Sequence, residues 1–452
     1  MQPPTAELCG RRGGDEKPLI VILAAAGIAF PDETASSARV GSYARGLEAA
    51  GIEVRILCLS SNEPHSRSSL GQAASGEWQG IRFEYTGRDL VRSDSRMLRR
   101  IALARGMLDA ACRLRKWSQS RTIQAVLLYS VSTIDAAFFR LVTRRLGILY
   151  LVDVCETPLL RFPSGPTAAL RRALYDRLFF RCFDGYLVIS RKLRDYLAPL
   201  VGDHARLLLT PIMVDTGAYG TVGPSREGGR HVTYCGLLND VKDGVGALVR
   251  AFASLSAEVP DVDLVLVGDY YTGTRVRHYQ TLAADLGVID RVTLAGAVAH
   301  HEVPGYLSRA SVLVLARPDT PQTRAGFPTK LGEYLASGRP VVVTRTGEIE
   351  DYLVDEVSAF LVEPGDESAL KATIMKVLGN PDTAEEVGRR GRLVATAKFD
   401  ERVVGARLVD FIGRSQHLRK GKPTRPRLAG TQHAKPGRWG HQDCRARNGD
   451  DV

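Results

Sequence analysis

The chain has 452 residues, 44% hydrophobic and 25% charged, which is enough apolar material for two cores at about 150 residues per domain. Its net charge of +11 is uneven, because Gln416–Val452 carries nine Lys/Arg against three Asp with Trp439 as its lone aromatic; a folded basic face interleaved with aromatics is absent, which excludes nucleic acid as a partner. The longest uncharged stretch, Pro18–Pro31, is too short for a membrane span of roughly 18 residues or more.

In chain order, residues 1–16 are polar and rich in Pro and Gly, with no apolar stretch of signal-peptide type. They read as a disordered lead-in, and the protein is expected to be cytoplasmic. Residues 17–218 alternate short apolar runs with amphipathic segments, the pattern of strand–helix units and a parallel sheet. Strands are predicted at Leu19–Ala24, Glu53–Leu59, Ile81–Tyr85, Gln124–Tyr129, Ile148–Val152 and Gly185–Ile189. Helices fit at Ser37–Ala50, Asp94–Ser118, Ile134–Leu146, Pro166–Arg181 and Lys192–Leu197. Residues 219–229 hold four glycines and read as a linker.

The theme then repeats over 230–398. Strands are predicted at His231–Cys235, Asp263–Val267, Val292–Ala295, Val312–Leu315, Pro340–Thr344 and Ala359–Val362. Helices are predicted near Val245–Leu255, Arg275–Leu286, Glu302–Leu307 and Thr329–Ser337. Thr383–Lys398 and Glu401–Arg414 read as helices that pack back on the first domain, with residues 399–415 closing the fold before a disordered basic tail at 416–452. The fold class is therefore α/β, with two Rossmann-like domains facing across a cleft between the carboxyl ends of their strands. Seven scattered cysteines without a Cys-x-x-Cys pair fit neither a disulfide framework nor a zinc site; Cys58 and Cys235 read as buried strand residues.

Neither a Gly-x-Gly-x-x-Gly fingerprint nor a Walker loop is present. The most informative run is Gly326–Val343, GFPTKLGEYLASGRPVVV. Gly326 permits a tight turn, Pro328 suits a helix start, and Thr329 and Lys330 stand at the helix N-terminus, an anion site by its free N–H groups and dipole. Glu333 follows one turn later, placed to accept two ribose hydroxyls. An ordinary capped helix fits these residues equally well.

This run resembles the donor-binding motif of retaining glycosyltransferases of the large family typified by bacterial capsule and lipopolysaccharide enzymes (glycosyl transferases group 1, family 4; GT-B fold). The resemblance implies that Glu333 is the second of two glutamates eight positions apart and binds the nucleotide's ribose. The first position, which in the family lies against the sugar, is Ala325 here. A second stretch, Tyr234–Val245 (YCGLLNDVKDGV), is similar to the family's strand, glycine turn and lysine before a helix. Backbone N–H groups at Gly236 and the Lys242 ammonium would then neutralise the donor diphosphate. Many relatives carry an Arg just after that glycine, where this chain has Leu237 and Leu238; Lys330 or Arg317 is expected to replace it. The exits of Val265–Asp269 and Val292–Gly296 resemble those that frame the nucleotide, with the backbone after Gly296, at Ala297 and Val298, pairing with the base.

In the first domain the Ala26–Arg39 loop is expected to shape the acceptor site, with Arg39 pointing into the cleft. Asp153 and Glu156, in DVCETP after a strand, are candidates beside the reacting sugar. His300 and His301 read as solvated. Asp261-Val262-Asp263 matches the metal signature of a different glycosyltransferase fold, but before a strand such acids cap a loop. No cofactor and no metal are expected; positive residues and helix ends stand in for a divalent cation.

The resemblance implies a retaining hexosyltransferase-like enzyme that moves a sugar from a nucleotide-diphosphate donor to a glycan or lipid-linked acceptor, in surface polysaccharide or glycolipid assembly. Lys242, Lys330, Glu156 and Asp153 are its expected catalytic set. Gly236, Lys242, Gly296, Val298, Arg317, Thr329, Lys330 and Glu333 are expected to hold the donor. A catalytically silent sugar-nucleotide-binding protein and a nucleotide-sugar epimerase of the same shape are the alternatives. An anionic membrane surface is the remaining expected partner, through basic spans at Arg88–Arg121, with Leu98, Ile101, Leu108, Cys112, Leu114 and Trp117, and at Arg161–Arg181, with Phe162, Phe179 and Phe180.

Overall fold

The computed structural model describes residues 17–25, 35–59, 74–86, 95–156, 167–202, 206–220, 229–269 and 274–420, with isolated positions 28, 30, 31, 162 and 165. The segment 1–16, most of the linker and the tail beyond 420 lie outside the described residues, as does part of the Ala26–Arg39 loop.

The first sheet has eight strands: β1 (Leu19–Ala24), β2 (Glu53–Cys58), β3 (Ser75–Trp78), β4 (Ile81–Tyr85), β5 (Ile123–Tyr129), β6 (Leu149–Val154), β7 (Gly185–Val188) and β8 (Leu207–Leu209). Their order is β3-β4-β2-β1-β5-β6-β7-β8, parallel except for the β3–β4 hairpin at the edge. Helices α1 (Ala35–Ala49), α2 (Arg96–Ser120), α3 (Thr133–Leu146), α4 (Ala168–Phe179) and α5 (Arg191–Val201) connect them. β1 and β6 are buried at every position, as central strands covered on both faces must be. Ser132 and Ser190 cap α3 and α5 by accepting the N–H groups of Asp135 and Leu193. β3 and β8 were not predicted. The first is a four-residue edge strand with a single large apolar side chain, Trp78, and the second spans three residues, below the length at which periodicity speaks.

The second sheet has six parallel strands: β9 (Arg230–Cys235), β10 (Val262–Val267), β11 (Val292–Gly296), β12 (Val312–Leu315), β13 (Val341–Thr344) and β14 (Phe360–Val362). Their order is β11-β10-β9-β12-β13-β14. Helices α6 (Asp240–Asp243), α7 (Val245–Ser256), α8 (Thr274–Asp285), α9 (Val303–Arg309), α10 (Pro321–Ala325), α11 (Thr329–Ala336), α12 (Glu367–Gly379) and α13 (Pro381–Val394) accompany them. α12 also escaped the sequence reading.

The last helix, α14 (Glu401–Lys420), runs past position 415, so residues 416–420 are helical rather than tail. It returns to the first domain and crosses α1. Gly46 and Gly405 let the two backbones touch: a Cβ on Gly405 would overlap the Gly46 carbonyl. Beside the crossing, Arg45 donates to both oxygens of the buried Glu401 carboxylate at 2.8 Å. A charge pair with both bonds in parallel fixes orientation as well as adding energy.

Candidate functional site

The strand order of the second sheet reverses between β9 and β12. In an open α/β sheet, the crevice outside the carboxyl ends at such a switch point is where ligands bind. Gly236 follows β9 there, and Arg317 follows β12. Gly236 has φ of +151°, and a Cβ on it would run into the Lys330 side chain, so glycine is what lets Lys330 lie across the strand end. Lys330 comes from the first turn of α11, where no side chain caps the helix. Tyr334, one turn on, fastens α11 to β9: its hydroxyl accepts from Cys235 N at 2.6 Å and donates to Cys235 O at 2.9 Å.

Asp243, which the sequence did not suggest, stands between these cations. Its buried carboxylate accepts from Lys330 Nζ at 2.7 Å and from Arg317 Nη1 at 3.4 Å. The Tyr234 hydroxyl accepts from Lys330 Nζ at 3.2 Å, and its one proton faces Leu237 O at 2.7 Å, with Asp243 Oδ2 the more distant acceptor at 3.2 Å. Burial lowers the Arg317 pKa, with Asp243 opposing the shift, whereas burial and then Asp243 push the Tyr234 phenol up. Arg317 is thus buried against Asp243, and its Nε has no hydrogen-bond partner among the described residues. Leu237 is partly exposed at the position where the resembling family carries an arginine, and Leu238 is buried.

Glu333 lies one turn beyond Lys330 and is already engaged. Tyr219 donates its hydroxyl to Glu333, and burial followed by that carboxylate raises the phenol pKa far above its ordinary value. His300 Nε2 is 3.3 Å from Glu333 Oε1, so His300 is exposed but not merely solvated; His301 is exposed. Gly296 and Val298 lie at and just after the end of β11, both half-buried, on the same strand-end rim, and Thr329 is exposed at the start of α11. Ala325 is buried, and its carbonyl accepts from Ser190 Oγ of the first domain at 2.6 Å.

Across the cleft, Glu156 and Lys242 meet at 3.4 Å. Lys242 sits in α6, whose start is capped by Asn239 accepting from Lys242 N at 3.2 Å. Asp153 does not join them. Its fully buried carboxylate pairs with Arg39 (Nε–Oδ2 2.6 Å) and accepts from Tyr43 OH at 3.0 Å and Cys155 Sγ at 2.9 Å. Arg39 donates further to the carbonyls of Pro211 (3.0 Å) and Thr210 (2.9 Å). Burial would lower the Arg39 pKa, but Asp153, Cys155 and Tyr43 together offset it and the pKa rises. Both residues, expected in the cleft, are instead a buried clamp tying α1 to β6 and to the chain after β8.

Asp261 and Asp263 flank Val262, the first residue of β10, at the opposite end of the sheet from the crevice. Arg230 pairs with Asp261 at 2.5 Å and Arg291 with Asp263 at 3.5 Å. Among the described residues, no group of three or more His, Cys, Asp or Glu could hold a metal ion. No described helix is long and apolar enough to cross a membrane.

Residues 34–212 match a family described as Glycosyl transferase 4-like domain, and residues 229–380 match Glycosyl transferases group 1. The GDP-mannose-dependent alpha-(1-6)-phosphatidylinositol monomannoside mannosyltransferase of Mycolicibacterium smegmatis is 28% identical over 246 residues, which is 51% of this chain and 63% of that enzyme. The chain therefore spans less than two thirds of that relative's length. Among solved structures, sucrose-phosphate synthase from Thermosynechococcus elongatus superposes with a TM-score of 0.67 at 18% identity, covering 88% of this chain and 99% of that one. HepE of Anabaena, solved in complex with UDP, gives 0.64 at 15% identity, covering 88% and 100%.

Proposed function

The chain belongs to the group 1 glycosyl transferases, with a 4-like domain ahead of the group 1 domain in the GT-B arrangement, and we propose that it transfers a sugar from a nucleoside-diphosphate donor to an acceptor hydroxyl with retention of anomeric configuration. The observation that carries this reading is the meeting of Lys330 and Arg317 with the uncapped start of α11 at the β9/β12 switch point. In this reading the donor's diphosphate takes the third N–H of Lys330 and the free N–H groups of α11. Glu333 accepts the ribose hydroxyls, and the backbone at Ala297 and Val298 pairs with the base.

The barrier lies in breaking the anomeric C–O bond. As it lengthens, the sugar gains oxocarbenium character and negative charge grows on the departing diphosphate. Fixed cations aimed at that charge act on the transition state more than on the ground state. The acceptor oxygen attacks from the face the diphosphate leaves, and its proton passes to a donor phosphate oxygen. Glu156, beside Lys242, is the acceptor-side acid of this path, while Asp153 has no part in it. No metal enters the scheme: Lys242, Lys330 and Arg317 supply the charge, and Asp261 and Asp263 are held by arginines at the far end of the sheet. Incubation with a panel of nucleotide-sugars and lipid or glycan acceptors, read by mass spectrometry and by the anomeric NMR coupling, tests the reading. A folded protein that releases no nucleoside diphosphate from any donor, or a β-linked product from an α-donor, would refute it.

The acceptor is proposed to be lipid-linked, in surface polysaccharide or glycolipid assembly at the cytoplasmic face of a membrane. Helices α2, α3 and α4 pack side by side on the first sheet and leave large apolar side chains in solvent: Met97 at 72% exposure, Ile134 at 74% and Leu170 at 72%. Leu170, Leu174 and Leu178 recur every four residues along one stripe of α4. The same helices carry exposed Arg100, Arg105, Arg144, Arg145, Arg171 and Arg177. Exposed apolar side chains and cations on the same helices suit an anionic lipid surface. The membrane-facing set differs from the sequence expectation: Leu114, Phe179 and Phe180 are core residues, and Trp117 is half-buried under Arg55.

A further inference from the structure

We propose that Asp243 is a positioning residue: it sets where Lys330 and Arg317 present their charge and, as a built-in counter-anion, limits how tightly the site holds diphosphate. The inference rests on the reading of this crevice as a diphosphate site and adds to it a carboxylate that works against affinity.

The geometry gives the reason. Lys330 and Arg317 reach the crevice from two separate elements, the start of α11 and the exit of β12, and only Asp243 bonds to both. Its side chain is 5% exposed, and those of Lys330 and Arg317 are 15% and 8% exposed. Two cations at this depth repel each other and lose hydration; one carboxylate between them cancels one charge and gives both a fixed partner. The cluster is therefore left with a single net positive charge. Lys330 has three donors, of which Asp243 and Tyr234 take two, so the third is left for an arriving anion. Arg317 Nε is buried and has no partner among the described residues. Asp243 is itself fixed from several sides. The Tyr234 hydroxyl lies 3.2 Å from its Oδ2, its own N–H donates to Asn239 O at 3.0 Å, and Gly244 behind it packs where a Cβ would overlap the Ala316 carbonyl.

The functional consequence concerns the end of the cycle. A site with two uncompensated cations would bind the product nucleoside diphosphate at least as well as the donor and release it slowly. Asp243 keeps the cations aimed while lowering the anion affinity, so that charge stabilisation is available during bond breaking without trapping the product.

The test uses the full chain, with inorganic pyrophosphate, UDP and GDP as calorimetric probes at low and high salt. Asp243→Asn keeps the shape of the group and removes its charge. It is expected to bind pyrophosphate roughly tenfold more tightly than the wild type at low salt, with a steeper fall as salt rises. The double variant Asp243→Asn/Lys330→Met is expected to lose that gain, because the effect acts through Lys330. A merely structural role for Asp243 would instead weaken pyrophosphate binding in step with a lowered melting temperature. Equal or weaker binding by a cooperatively folded Asp243→Asn protein overturns the proposal, as does a gain that survives Lys330→Met. If the Asn variant does not fold, Asp243→Glu, which keeps the charge and shifts it by one methylene, is expected to leave pyrophosphate affinity within about threefold of wild type; a tenfold change in either direction then overturns the proposal. Tighter pyrophosphate binding by the Asn variant, with neither UDP nor GDP bound by any form, would sustain the role of Asp243 and refute the nucleotide-sugar reading.

Discussion

Lys242 of the second domain and Glu156 of the first face each other across the cleft, Nζ to Oε1, at 3.4 Å. Both side chains are well exposed, so as a surface ion pair they contribute little to stability, about 0–1 kcal/mol. In the proposed reading their separation matters more for function, since it would put a donor-side cation and an acceptor-side acid within reach of one reacting centre. Lys242→Ala and Lys330→Ala are expected to lower kcat more than they raise KM, because diphosphate charge grows toward the transition state. Glu156→Gln should lower kcat about tenfold with an unchanged melting temperature. Near wild-type turnover in all three variants would move the chemistry elsewhere.

Glu333→Ala is expected to weaken binding of the nucleoside diphosphate by about 1–3 kcal/mol, the scale of a lost charged hydrogen bond. Tyr219 and His300 hold this carboxylate from two sides, so Tyr219→Phe should reproduce a smaller part of the loss. Calorimetry on folded variants is the measurement. Affinity unchanged in Glu333→Ala would remove the ribose contact.

How much of this was legible in the sequence depends on distance along the chain. Thr329, Lys330 and Glu333 lie within two turns of one helix, so their spacing alone places them together. Asp243 meets Arg317 and Lys330 over separations of 74 and 87 residues, and an acid before a glycine at a helix end reads as an ordinary cap. Asp153 misled for the same reason in reverse: an acid at a strand's carboxyl end looks cleft-lining until Arg39, 114 residues earlier, is seen to cover it. The alternation of apolar runs disclosed the two sheets, because strands buried on both faces leave continuous apolar stretches. It could not disclose β3, whose four residues hold a single large apolar side chain, Trp78, or the Gly46–Gly405 contact, which needs two distant helices to cross.

The closing helix carries a pH signature. Burial raises the pKa of Glu401 in the folded protein, with Arg45 pulling the other way. A carboxyl with a raised folded pKa binds more protons folded than unfolded, so its contribution to stability declines as pH rises from the unfolded value to the folded one. Urea melts of wild type and Glu401→Gln should therefore show the wild type's relative stability falling as pH rises from about 4.5 through the folded pKa and staying level above it. A difference that stays flat or grows with pH across that window contradicts the assignment.

Transfer is expected to survive excess chelator, because in the proposed reading fixed cations rather than a bound ion face the diphosphate. Activity lost in EDTA and restored by Mg²⁺ or Mn²⁺ would show that a divalent cation takes part, and Asp261→Asn and Asp263→Asn would then be the first variants to assay.

Membrane association should follow the exposed faces of α2, α3 and α4 rather than their sequence composition. Vesicles containing anionic lipid are expected to sediment the protein at low salt. Binding should fall as salt rises, since each exposed cation near the surface contributes at most about 1 kcal/mol and is screened within a Debye length. Leu170→Ser/Leu174→Ser removes two of the three exposed leucines of the α4 stripe without touching the core, so it should weaken sedimentation while leaving the melting temperature and pyrophosphate binding unchanged. Phe179→Ser, by contrast, opens a buried aromatic cluster with Tyr175, Phe180 and Phe183 and should destabilise the first domain by about 3–5 kcal/mol. Truncation after Lys420 tests the basic tail separately and should leave part of the binding intact, because the apolar stripe remains. If the full-length protein ignores anionic vesicles at low salt, or if the Leu170/Leu174 pair changes nothing, the apolar face serves another partner and the acceptor is a soluble glycan.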